Sequence, residues 1–319
     1  MTWRTLRGLP YWLWPERVWC SLSTDMDSIG SLRDSVRRAL AEDLDRADLS
    51  LDADVTSRLS VPAAATGRAR MVAKSRGVLA GSACAVEAFQ ALDPQSDVRP
   101  ELRDGQEFSR GDLILQVRGR MRALLAAERT ALNFVQRLSG IATTTRAFVE
   151  AVKGTRARVL DTRKTTPGLR LLEKQAVVAG GGHNHRFGLH DQVLLKENHF
   201  GCARPASYEE VVRRCVQEQD RPVIAEARNT EEATAAVRGG ATVILLDNFT
   251  PGEPLRAAVA AVRATAASLG RRVEIEASGG VDLASVRTFA ECGVDRISIG
   301  ALTHSAPAVD LSMLVEGVA

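Results

Sequence analysis

The chain has 319 residues, of which 45% are hydrophobic and 25% charged, with a formal net charge of +3. That length suffices for one barrel plus a smaller unit, while so small a net charge argues against general nucleic-acid binding. No apolar run approaches the ~18 residues of a membrane span, and the five cysteines are widely spaced with no CxxC, the pattern of reduced thiols in a cytoplasmic protein.

Residues 1–25, MTWRTLRGLPYWLWPERVWCSLSTD, hold all four tryptophans. Pro10, Pro15, Glu16 and Arg17 interrupt the aromatic run, which makes a poor signal-peptide core. The segment is read as an N-terminal extension outside the core, ahead of a second methionine, Met26. From Ile29 to Leu44 the apolar residues Leu32, Val36, Leu40 and Leu44 recur on one helical face. The Asp-rich DLDRADLSLDADVT reads as a loop. GRARMVAKSRGVLAGSACAVEAFQAL then reads as strand, glycine turn and helix, and DGQEFSRGDLILQVRGRM as two short strands about Gly111 and Asp112. This part is mixed α and β with antiparallel character. The segment RALLAAERTALNFVQRLSGIATTTRAFVEAV predicts one long helix.

After that helix the pattern changes. Short β-rich runs (RARVLDTR, HDQVLLKENH, RPVIAEAR, ATVILLDN, RRVEIEASGG, GVDRISIGA) alternate with helix-like segments such as YEEVVRRCVQE and TEEATAAVRGG. Repeated strand-then-helix units of this short period predict parallel βα units and a barrel, and no GxGxxG follows the first strand. Each run ends on a polar or small residue: Arg163, Lys196, Glu226, Asp247, Ser278 with Gly279, and Gly300. In a βα barrel those ends converge on one face. Three cations (Arg163, Lys164, Lys196) with two carboxylates (Glu226, Asp247) suit an anionic substrate and a divalent cation. Guanidinium forks bind carboxylate or phosphate in a bidentate way. A carboxylate pair meets a phosphate through Mg²⁺, which takes one or two carboxylates and fills its octahedron with water and phosphate oxygens. Small residues in the last two loops favour a phosphate on backbone N–H groups.

Four of the five histidines (His183, His185, His190, His199) crowd into GGGHNHRFGLHDQVLLKENH, yet neither HExxH nor a Cys/His finger spacing is present, and GxxxxGK[ST] is absent too. The segment is neither a zinc site nor a Walker loop by pattern.

Across DTRKTTPGLR, GGGHNHRFGLHDQVLLKENH, VILLDN and ISIGALTHS the chain resembles the quinolinate phosphoribosyltransferase family, over residues 29 to 315. The resemblance implies an α/β fold, with an N-terminal α/β sandwich domain (26–138), an incomplete TIM-like (βα) barrel (139–302) and a C-terminal segment (303–319) packing back on the first domain. It implies a homodimer or larger assembly whose active site is shared across the interface. The reaction implied takes quinolinate and phosphoribosyl pyrophosphate to nicotinate mononucleotide, pyrophosphate and CO₂ with Mg²⁺, for de novo NAD synthesis.

Carried onto this sequence, Arg129 of ERTALN reaches quinolinate from the neighbouring subunit. Arg163 and Lys164 face the carboxylates and nearby phosphates, His185 and Arg186 line the same pocket, and Lys196 is a further cation there. Glu226 and Asp247 serve the ribose and Mg²⁺, and Ser278, Gly279 and Gly280 with Gly300 and Ala301 hold the 5′-phosphate. Lys164, Lys196, Glu226 and Asp247 carry catalysis, with Thr162 and Asn198 as shell residues. His183, His190 and His199 are expected to be structural. One departure stands out: the family commonly carries further acidic residues around the key glutamate, whereas IAEARN has Ala225 before it and Arg228 two positions after it. Residues two apart on a strand share a face, so Arg228 is expected at the mouth as well. A paralogue of the same fold associated with molybdate transport and a non-catalytic phosphate-binding protein stay open as alternatives.

Overall fold

The computed structural model describes residues 27–318, with side chains from Leu32 to Glu316. The Trp-rich extension and Met26 lie outside the described residues. Helix α1 (Asp27–Leu44) buries Val36, Leu40 and Leu44, the face its periodicity selects. A short 3₁₀ turn (Leu51–Ala53) and α2 (Val55–Ser60) lead into β1 (Thr66–Ala73). In β1 the residues Ala69, Met71 and Ala73 point to the core while Arg68 and Arg70 point away, the period of a strand with one wet face. The two-residue β2 (Gly77–Val78) pairs with β4 (Glu107–Phe108). Between them lie α3 (Ser82–Leu92) and β3 (Asp97–Pro100). β5 (Leu113–Arg120) completes the unit, in which β1 and β3 both run antiparallel to β5.

Helix α4 (Met121–Ala151) is 31 residues long and joins the two halves, packing on α3 and the antiparallel sheet at one end and on the barrel at the other. The expected domain boundary at 138/139 falls inside it. At Gly140 the returning C-terminal chain crosses so closely that a Cβ there would stand 2.0 Å from the carbonyl oxygen of Pro307. Beyond the crossing, β12 (Leu311–Val318) pairs antiparallel with β1, giving the sheet order β12-β1-β5-β3.

The second sheet is six-stranded and wholly parallel, in the order β6-β11-β10-β9-β8-β7: β6 (Arg158–Leu160), β7 (Val193–Leu195), β8 (Val223–Ala227), β9 (Val243–Asp247), β10 (Glu274–Ser278) and β11 (Arg296–Ser298). Helix α5 (Arg170–Ala179) follows β6, and α6 (Glu197–Cys202) and α7 (Tyr208–Gln217) follow β7. Then α8 (Thr230–Gly239), α9 (Glu253–Ser268), α10 (Val286–Glu291) and α11 (Ala301–His304) follow β8 to β11 in turn. His183 makes a parallel bridge to Leu160, so the chain touches the sheet once more beyond β6, yet this position and β7 do not pair. The barrel is therefore open at that seam.

Its outward residues, among them Val159, Ile244, Leu246, Ile275 and Ile297, join the main core under the helices. The inward face is divided. Leu194, Ile224, Val243 and Leu245 form a small apolar cluster of their own on β7, β8 and β9. On β10 and β11 the inward positions are Glu274, Glu276, Ser278, Arg296 and Ser298, with Glu276 and Arg296 side by side in register. Branched aliphatic layers usually fill such a barrel; here one side of the filling is polar, with Glu274, Glu276 and Arg296 charged.

Candidate active site

The period of two that gives the barrel its inner face also delivers the site. Lys196 lies two positions after Leu194, Glu226 two after Ile224, and Asp247 two after Leu245. Each continues an inward-facing row to the C-terminal end of its strand. The Lys196 ammonium lies 3.5 Å from Glu226 Oε2, and the Glu197 N–H donates to Glu226 Oε1 (3.3 Å). The Tyr208 hydroxyl donates to the Glu226 carbonyl oxygen (2.6 Å) and fixes the end of β8.

Asp247 is half-buried, and its pKa is raised above the ordinary aspartate value, first by burial and then by the charge of Glu226, while Lys196 and Lys164 oppose the shift. The two carboxylates thus feel each other, and both lysines feel them. No cluster of three or more metal-binding side chains exists among the described residues. Two carboxylates with coupled negative charge fit Mg²⁺ completed by water and phosphate oxygens, not an all-protein metal cage.

The cationic side is built from the ends of β6 and of the segment after α5. Arg163 is half-buried, and its Nε is buried without a hydrogen-bond partner among the described residues. Arg186 is only 8% exposed, and Nη1 donates to the Gln192 carbonyl (3.3 Å). Burial and then the neighbouring Arg163 charge depress its pKa. Two guanidiniums are held near each other with donor capacity unspent, an arrangement that a bidentate anion relieves. The Lys164 stem lies across Gly300, where a Cβ would come within 2.9 Å of Lys164 Cδ, and Thr303 Oγ1 donates to the Lys164 carbonyl (2.8 Å).

On the third side, Gly279 (φ +100°) and Gly280 (φ +62°) turn the chain sharply after Ser278. A Cβ at Gly279 would stand 2.1 Å from Asn248 Oδ1, so only glycine fits there. Asn248 (φ +58°) donates from its side chain to Asp247 Oδ2 (2.7 Å) and from its backbone to the Ser278 carbonyl (2.9 Å), tying the ends of β9 and β10 together. Gly300 and Ala301 lie at the end of β11, where α11 begins.

Two expected positions look different in three dimensions. The ring of His185 is turned inward: Nδ1 accepts the Arg186 N–H (2.7 Å) and Nε2 lies 3.3 Å from Glu276 Oε1, with the side chain 8% exposed. Arg129 sits exposed on the N-terminal half of α4, and its side chain makes no hydrogen bond or ion pair among the described residues. The departures at the key glutamate also resolve. Ala225 is an outward position, fully buried under the helices. Arg228 is paired with Glu232 (2.9 Å) and with Glu197, which answer its charge at contact distance, and Glu226 adds a weaker attraction. His199 accepts the Lys196 N–H on Nδ1 (2.9 Å) and so caps α6.

Residues 54–139 match the quinolinate phosphoribosyl transferase N-terminal domain, and residues 141–314 match the C-terminal domain. The chain belongs to the quinolinate phosphoribosyl transferase family. It is similar to a probable nicotinate-nucleotide pyrophosphorylase [carboxylating] of Bacillus subtilis, at 40% identity over 262 residues, covering 82% of this chain and 87% of that protein. The Mycobacterium leprae nicotinate-nucleotide pyrophosphorylase [carboxylating] is 39% identical over 290 residues, covering 88% and 96%. Among solved structures, NadC from Streptococcus pyogenes superposes with a TM-score of 0.81 at 35% identity, covering 93% of this chain and 99% of that one. The nicotinate-nucleotide pyrophosphorylase from Francisella tularensis also gives 0.81, at 34% identity, covering 90% and 97%.

In this member of the quinolinate phosphoribosyl transferase family, several polar residues beneath the site were not singled out from the sequence. Asp161 and Lys174 form a buried ion pair of 2.5 Å. Burial pushes the Asp161 carboxyl up to about 6 against the pull of Lys174. Glu173, fully buried, accepts from the Thr166 N–H (3.1 Å), the Thr166 hydroxyl (2.7 Å) and Arg137 (3.2 Å), and Arg137 also donates to the Ala306 carbonyl (2.7 Å). That network ties the loop after Lys164 to α4 and to the C-terminal chain. For Glu276 a signal was present: Glu274, Glu276 and Ser278 alternate with Ile275 and Ala277, a strand whose inner face is polar throughout.

Proposed function

We propose that this chain transfers the phosphoribosyl group of phosphoribosyl pyrophosphate to the ring nitrogen of quinolinate and releases pyrophosphate, CO₂ and nicotinate mononucleotide, a step of de novo NAD synthesis. The observation that carries the reading is the Arg163–Arg186 pair, two neighbouring guanidiniums at a barrel mouth beside a coupled Glu226–Asp247 pair. Quinolinate has two adjacent carboxylates, and the two arginines answer them with bidentate hydrogen bonds.

Lys196 and Lys164 neutralise the anionic substrates. The backbone N–H groups from Ser278 to Gly280 and at Gly300 and Ala301 hold the 5′-phosphate. Glu226 and Asp247 would hold Mg²⁺, which neutralises the departing pyrophosphate. The same carboxylates stabilise the positive charge that develops on the ribose as its C1′–O bond breaks. After the ring nitrogen is quaternised, its positive charge stabilises the electron pair left on C2 as the 2-carboxylate departs as CO₂, and C2 then takes a proton from water, so neither pyridoxal nor thiamine is required. The assembly is a homodimer or larger, with Arg129 of a second copy completing the pocket; its unpartnered exposed position supports that reading. The family membership supports a small-molecule reaction over nucleic-acid or membrane binding. Among the described residues no helix is long and apolar enough to cross a membrane. The four described cysteines are free thiols, in keeping with a reducing, cytoplasmic setting.

The test is an assay of CO₂ and nicotinate mononucleotide release that depends on both quinolinate and phosphoribosyl pyrophosphate. Stoichiometric release is expected; a purified, folded protein that binds both compounds without turnover would revive a non-catalytic role.

A further inference from the structure

His185 spends every polar group it has inside the protein. Its N–H donates to Asp161 Oδ1 (2.8 Å), and its carbonyl accepts from Lys174 Nζ (3.0 Å). Its ring Nδ1 accepts the Arg186 N–H (2.7 Å), and Nε2 faces Glu276 Oε1 at 3.3 Å. Because Nδ1 is an acceptor, the proton of the neutral ring sits on Nε2, the ring nitrogen that lies nearer the Glu276 carboxylate. A ring rotated by half a turn would bring carbon to the Arg186 N–H and leave that donor buried and unmet.

Glu276 selects the orientation. Its side chain is fully buried in the barrel, with Arg296 Nη1 at 3.9 Å and neither carboxylate oxygen in a fully formed hydrogen bond. Burial pushes its pKa up, but His185, Arg296 and Ser298 outweigh burial and hold it below the ordinary glutamate value. An ionised carboxylate in that place demands a donor, and the His185 Nε2–H is the group on its upper side. The polar side of the barrel filling thus ends at the ring of His185, the residue before Arg186.

We infer that Glu276, acting through His185, is a positioning residue that aims the Arg186 guanidinium at the dicarboxylate beside Arg163. His185 belongs to the same positioning pair and is not itself a substrate contact. The inference rests on the function proposed above. Arg163 and Arg186 repel each other, so their approach needs a rigid backing. The chain of contacts Glu276–His185–Arg186 N–H provides it without occupying the guanidinium.

The experiment measures kcat and the two KM values separately for Glu276→Gln, His185→Asn and the double variant, with melting temperatures alongside. Glu276→Gln removes the charge that fixes the ring but keeps the volume. It is expected to raise the KM for quinolinate about tenfold, the size of one weakened charge-assisted hydrogen bond. The KM for phosphoribosyl pyrophosphate is expected to stay within about twofold. His185→Asn keeps an acceptor near the Nδ1 position and severs the link to Glu276, so the double variant is expected to be no worse than His185→Asn alone.

An unchanged quinolinate KM in folded Glu276→Gln, or equal rises in both KM values, overturns the inference. Nitrogen-15 spectra of the wild-type histidines test the pair without turnover. A neutral Nε2-protonated His185 supports it, and an Nδ1-protonated ring overturns it. Wild type that turns over no quinolinate while showing the Nε2-protonated ring would defeat the proposed function and leave the pair standing.

Discussion

Arg163 presents the sharpest case of a side chain prepared for something absent from its own chain. Its buried Nε meets no acceptor among the described residues, and Arg186 stands close enough to be depressed by its charge. Arg163→Ala is therefore expected to lower kcat/KM for quinolinate by about 10²-fold or more while leaving the melting temperature unchanged, since losing two charge-assisted hydrogen bonds is worth that much. Near-normal turnover in that variant would remove the assignment. Asp247 carries a second prediction. Its raised pKa keeps it protonated to a higher pH than an ordinary aspartate. The ionised form is needed for Mg²⁺, so metal affinity and turnover should fall as pH drops through that raised value. Glu226→Gln removes the neighbouring negative charge, which lowers the Asp247 pKa. Residual Mg²⁺ binding, followed by calorimetry against pH, should then lose its affinity at lower pH than in wild type. A curve that does not move breaks the coupling.

At the scale of elements, the strands explain which residues could be found by reading and which could not. Glu226, Asp247 and Lys196 end rows of inward positions, so the alternation alone places them at the mouth. Ala225 looks like a departure in the sequence but is an outward position under the helices, so it has no bearing on the site. Arg228 finds its answering charges in Glu197 and Glu232 at the starts of two helices, and pairing of that kind depends on how the helices dock. The crossing of α4 by the C-terminal chain is another product of docking. Gly140→Ala is expected to destabilise the fold by about 1–3 kcal/mol, because the methyl group would meet the Pro307 carbonyl in a place with no room to yield. Chemical denaturation would show it, and an unaltered midpoint would mean the crossing can shift.

Among the described residues the four-stranded and the six-stranded sheet are joined by α4, and β12 carries the C-terminal chain back to the first of them. Arg129 lies on the first half of α4, exposed, while the other cations gather at the end of the barrel. If a second copy supplies it, mixing two inactive variants, Arg129→Ala and Arg163→Ala, should restore activity. At equal mixing, half of the dimers are hybrids with one intact site of two, giving about a quarter of wild-type turnover. No recovery after subunit exchange would place Arg129 in the site of its own subunit.

The sequence by itself determined the parallel βα order of the second half, the antiparallel character of the first, and the polar ends of the strands, because periodicity and strand-end chemistry are local and repeat along the chain. It also carried the family, through motifs long enough to match in order. Only the tertiary structure decided the open seam beyond β6, the turning of the His185 ring toward Glu276, and the buried Asp161–Lys174 pair. Those features join residues distant in the chain through burial, and a buried charge has meaning only once the groups that face it are known.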